Sequence, residues 1–173
     1  MSTELYIRLS LMMFLQFALW GAWSPVLAAR LLGPLGMSGK QTGWIYGTVY
    51  LGCIVSPLIS GLIVDLWVPT QFFLAGAHLV GGVLLLVAAR KTTFRGLFVV
   101  MSLYALAFAP TLALVQSLMF AHLTKPAEQA FGVSVWGVVS WVLVGWLLTV
   151  WRRMKGAGRG SDCLVLAGIL SLV

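Results

Sequence analysis

A succession of long apolar runs, joined by connections of only a few polar residues, fills this chain almost from end to end. A helix that crosses a hydrocarbon core of about 30 Å needs about 20 mostly apolar residues. Five runs meet that requirement, near Leu9–Ala29, Thr42–Val64, Thr70–Ala89, Leu97–Ala121 and Gly132–Trp151. A sixth, Cys163–Val173, offers 11 residues. At about 1.5 Å per residue it is too short to span, so the expectation is a fragment or a truncated product.

The alternative of a soluble domain fails on composition. Hydrophobic residues make up 61% and charged residues 9% of the 173-residue chain, against about 25% charged in soluble domains. Such a core would hold more apolar side chain than its surface could hide. The first run is also longer than the roughly 7–15 apolar residues of a signal-peptide core; together with Trp20, Trp23 and Pro25 this argues against cleavage. The expected fold is therefore all-α, a polytopic membrane helix bundle.

The net charge of +7 comes from 11 Lys/Arg against 4 Asp/Glu. The basic residues sit between the apolar runs, where membrane-flanking positions are expected. They form no patch with interleaved aromatics, so nucleic acid is not an expected partner. Cys53 and Cys163 lie far apart with no Cys/His cluster, which supports neither zinc nor a redox pair. No Ser/His/Asp set, metal set or phosphate loop is present, so neither an enzyme nor a cofactor is expected.

Polar residues inside the runs are few, and no Asp, Glu, Lys or Arg lies in the middle of any. Gln16, Trp20 and Trp23 fall at i, i+4 and i+7, on one helix face; on spacing alone, helix packing is preferred to ligand stacking. Thr48, Gly52, Ser56 and Ser60 repeat every four residues, and Gly43 and Gly47 add a GxxxG pattern. Both read as close-packing faces. Pro57 is expected to bend the second span. His78, near the middle of the third, reads as an interhelical hydrogen-bonder or a proton relay.

The run Phe14-Leu15-Gln16-Phe17-Ala18-Leu19-Trp20-Gly21-Ala22-Trp23 resembles the opening helix of the nucleoside:proton symporters of the major facilitator superfamily. Gly43, Tyr46, Pro57, Gly61, Asp65 and Trp67 fall at similar spacings, as do His78, Pro110-Thr111-Leu112 with Gln116, and Trp136-Gly137. The resemblance covers essentially the whole chain. It implies the N-terminal six-helix half of such a transporter, residues 1–173, with helix six incomplete. It further implies nucleoside:proton symport by alternating access, in the bacterial inner membrane, with a missing C-terminal half or a second copy as partner.

On this resemblance Gln16, Trp20, Gln116, Ser134 and Trp141 are the candidate substrate-binding residues, His78 a possible proton relay, and Gly61 and Asp65 a conformational loop motif. Two departures stand out. Ser134 and Val138 replace an Arg and a Thr common in the family, and Leu66-Trp67-Val68 replaces the basic residues that usually follow the loop Asp. The family orientation, with a cytoplasmic N-terminus, conflicts with the charge bias: Arg30, Lys40, Arg90, Lys91, Arg95, Arg152, Arg153, Lys155 and Arg159 would lie outside, and only Arg8 and Lys125 inside. A non-transporting membrane remnant or an interaction subunit is the alternative function.

Overall fold

The computed structural model describes residues 1–155 and 160–173, with the side chains of Pro57, Ile59 and Lys155 left aside. Arg159, read as part of the basic connection after the fifth span, lies outside the described residues. The described chain is helical throughout: α1 (Thr3–Trp23), α2 (Leu27–Leu32), α3 (Gly39–Leu66), α4 (Thr70–Arg90), α5 (Phe94–His122), α6 (Pro126–Lys155) and α7 (Asp162–Ser171).

The helices begin earlier than the apolar runs because polar flanks cap them. Ser2 accepts the Leu5 N–H ahead of α1, and Ser38 forms a reciprocal capping box with Gln41 ahead of α3. Thr93 accepts the Gly96 N–H at the start of α5. Pro126 opens α6, at a position where a missing N–H costs nothing. Residues 126–130, which lie outside the apolar runs, are thus the start of a helix.

The first span differs from expectation in a second way. It is not one helix over Leu9–Ala29 but α1 and α2, broken at Ser24-Pro25-Val26. Pro25 cannot donate, and its ring excludes the carbonyl four residues earlier; Val26 turns back to the Trp23 carbonyl instead. Tyr46 on α3 splices the break. Its hydroxyl donates to the Ser24 carbonyl at 2.6 Å and accepts the Ala28 N–H at 3.0 Å.

Among the described residues, four segments are long and apolar enough to cross a membrane: Thr3–Leu32, Thr70–Arg90, Phe94–His122 and Pro126–Met154. A fifth, α3, bends by 42° between Gly39–Ser56 and Ser60–Leu66, the stretch that contains Pro57, as expected. α7 is a short apolar helix of 10 residues. Large apolar side chains such as Leu58, Leu62, Phe72 and Trp146 cover the outer faces, where lipid is the fitting solvent.

Within the bundle α1 packs on α6 and α7, α3 on α5, and α4 on both α5 and α7. In lipid such contacts rest on van der Waals fit, which favours small residues at crossings. A Cβ on Gly52 would stand 2.9 Å from the Ala105 carbonyl oxygen, and one on Gly21 2.9 Å from the Trp141 Cα. Thr48, Gly52, Ser56 and Ser60 are all buried, so that four-residue repeat is a packing face. Gly43 and Gly47 are not part of it. A Cβ on either would meet nothing within 4 Å. At 3.6 residues per turn, five positions rotate the helix by about 140° from the buried face, which turns the GxxxG pair outward.

Candidate functional site

Three helices line an open cavity of about 480 Å³ whose wall includes Met13 and Phe17 from α1, Gln116 from α5, and Ser134, Val138 and Trp141 from α6. α6 comes close to α1 because Gly137 lacks a side chain; a Cβ there would lie 2.8 Å from the Phe17 ring. Trp20 packs behind the wall. Its ring meets Trp141 edge-on at 4.8 Å and Phe108 at 6.3 Å, which sets the indole of Trp141 in place. Ser134 Oγ donates to Met119 Sδ, a weak acceptor, at 3.5 Å.

The cavity is neutral. An amide, a hydroxyl and the Trp141 indole N–H are its side-chain polar groups, set among aromatic and aliphatic surface. Ser134 and Val138 stand where the resemblance led one to expect an Arg and a Thr, so neither a guanidinium nor a second hydroxyl lines it.

Gln16 belongs to a different place. Residues 13, 17 and 20 follow one face of α1, and residue 16, about 40° from residue 20 around the helix, reaches α5. There Gln16 Nε2 donates to Thr111 Oγ1 at 2.8 Å, and Thr111 donates in turn to the Phe108 carbonyl at 2.6 Å. Gln16 is 2% exposed, and its Oε1 is buried without a protein hydrogen bond. It lines a second cavity of about 500 Å³, together with Leu15 of α1, Leu74 and His78 of α4, and Ser171 of α7. Ser171 Oγ donates to the His78 carbonyl at 2.8 Å and lies 3.4 Å from His78 Nδ1.

Of the expected site residues, Gln116, Ser134 and Trp141 therefore share one cavity, Trp20 buttresses it, and Gln16 and His78 share the neighbouring one. Trp23, grouped with them by spacing, is core: 1% exposed, with Nε1 donating to the Tyr104 hydroxyl at 3.2 Å. Gly61 and Asp65 lie in the last turns of α3 rather than in a loop, and Asp65 is exposed with no ion pair among the described residues. Sequence reading missed Met13, Phe17 and Thr111. The first two carry a signal, since they recur at i, i+4 and i+7 with Trp20. Trp136 points elsewhere, its Nε1 donating to the Tyr6 hydroxyl at 2.9 Å.

Comparison with known proteins agrees with this architecture. Two crystal structures of the nucleoside transporter NupG superpose with TM-scores of 0.87 and 0.86, at 25% and 24% identity, over 96% and 98% of this chain and 42% and 43% of theirs. Among curated relatives from Escherichia coli (strain K12), YegT is 37% identical over 116 residues. Nucleoside permease NupG is 29% identical over 120 residues, and the xanthosine permease 34% over 119. These alignments take in 67–69% of this chain but only 27–29% of the relatives' length. The description of the nucleoside H+ symporter family matches residues 1–173. With its apolar spans and relatives that are membrane permeases, this is a multi-pass membrane protein of the major facilitator fold. It belongs to the nucleoside H+ symporter family.

Proposed function

We propose that residues 1–173 act as the N-terminal half-domain of a transporter that carries nucleosides together with protons by alternating access, and not as an enzyme. The observation that carries this is the neutral cavity walled by Trp141, Gln116 and Ser134. A flat uncharged base stacks on an indole, and an amide and a hydroxyl hydrogen-bond to its edge or to a ribose. The family match and the NupG likeness support the substrate class. In such folds the solute site lies near mid-membrane between two repeats, so a C-terminal half or a second copy supplies the facing wall.

His78 is the candidate proton relay of this half. It is half-buried at mid-span, and no acidic residue lies in the middle of any span. The N-terminus is assigned to the cytoplasm by the family orientation.

Titration of the purified chain with uridine tests the reading, with quenching of tryptophan fluorescence as the signal. Saturable quenching is expected, reduced in Trp141→Phe and in Gln116→Leu. Absence of saturable binding, or equal binding by both variants, overturns it. Proteoliposomes holding only residues 1–173 are expected to show no gradient-driven uptake. Uptake that His78→Ala abolishes would mean that two copies of this half suffice.

A further inference from the structure

The topology gathers charge at one end of the bundle. α1, α4 and α6 end there and α3, α5 and α7 begin there. Lys40, Arg90, Lys91, Arg95 and Arg153 are all exposed at that end. Among the described residues its one acid is Asp162, and Arg152 takes both carboxylate oxygens at 2.7 Å. At the opposite end Arg8 pairs with Glu4 and Lys125 with Glu128. Cations at that far end thus have counter-charges within the protein, and the five exposed at the basic end have none among the described residues.

Two of the five sit where the helix itself disfavours them. Lys40 is the second residue of α3 and Arg95 the second of α5. Free N–H groups make a helix N-terminus partly positive, so a cation there is destabilising unless an anion joins it. The turn between α4 and α5 is also held firmly. Arg30, 3% exposed, donates through Nη2 to the Ala89 carbonyl at 2.8 Å and to the Lys91 carbonyl at 3.0 Å. That brace keeps the turn carrying Arg90 and Lys91 in one shape. Trp44 and Trp151, about half exposed near the same end, occupy the level at which aromatic belts meet lipid headgroups.

The cations are spread over several helix ends rather than converging on one pocket. This suits many headgroups in a plane, not one small anion. We infer that this end of the bundle binds the phosphate groups of anionic phospholipids, with Arg90, Lys91 and Arg95 at its centre. The inference is independent of the transported solute and of which leaflet the end faces.

Quenching of tryptophan by brominated lipid measures the relative affinity for phosphatidylglycerol over phosphatidylcholine. The expectation is a preference for phosphatidylglycerol that fades as salt rises. In the Arg90→Gln/Lys91→Gln/Arg95→Gln variant the preference should fall by up to about a hundredfold, with helicity by circular dichroism unchanged. Arg8→Gln/Lys125→Gln, at the opposite end, should keep it. No preference in the parent protein at low salt overturns the inference, as does an undiminished preference in the triple variant. Displacement of phosphatidylglycerol by inorganic phosphate overturns it too, by making this a site for a free anion.

Discussion

Trp141 meets Trp20 edge-on with ring centroids 4.8 Å apart, and this contact joins the α6 wall of the neutral cavity to α1. The two indoles are therefore placed differently, Trp141 lining the cavity and Trp20 packing behind it. Trp141→Ala should weaken nucleoside binding by about 1–3 kcal/mol, the range for loss of a base–aromatic stack. Trp20→Ala should act mainly on stability, by about 3–5 kcal/mol as a large-to-small change inside a bundle. Calorimetric binding and thermal melting of both variants separate the effects. Equal affinity losses would refute the division of labour.

Gln16 is held by one neutral hydrogen bond, to Thr111. Thr111→Val keeps the shape and removes the acceptor, so Nε2 loses its partner and neither end of the buried amide has one in the protein. A loss of about 1–2 kcal/mol is expected, read as a lower unfolding midpoint in detergent. Thr111→Ser should restore the parent value.

The glycines of α1 and α3 make a sharper comparison. Gly21→Ala puts a methyl 2.9 Å from the Trp141 backbone, which cannot yield as a side-chain tip would. It should cost about 1–3 kcal/mol and disturb the cavity wall. Gly43→Ala meets open space and should be neutral or stabilising by up to about 1 kcal/mol through helix propensity. Melting temperatures in the reverse order would contradict the packing described for α1 and α6.

Tyr46→Phe removes the hydroxyl that ties Ser24 to Ala28 across the break in the first span. Two backbone groups lose their shared partner at a cost of about 1–3 kcal/mol. Hydrogen exchange should quicken at residues 24–28 and stay unchanged in α5. Uniform exchange across the chain would show that the break is held by something else.

The existence of the spans was legible in the chain because apolar run length is local, and the bilayer sets the length that matters. The bend of α3 and the packing face Thr48–Gly52–Ser56–Ser60 were legible for the same kind of reason, one from proline chemistry and one from helical period. Other features depended on partners distant in sequence. Pro25 carries a local signal that the reading of one span over Leu9–Ala29 passed over, and the hydroxyl that bridges the break comes from Tyr46 on α3. Gly43 and Gly47 carry the same spacing signal as a buried pair, and only the rotation of α3 against α5 turned them outward. Gln16 and Trp20 are four residues apart on one helix, yet α5 and α6 claim them for different cavities. Spacing says which residues share a face; it does not say which neighbour that face will meet, because the choice is made by the fit of all the helices at once.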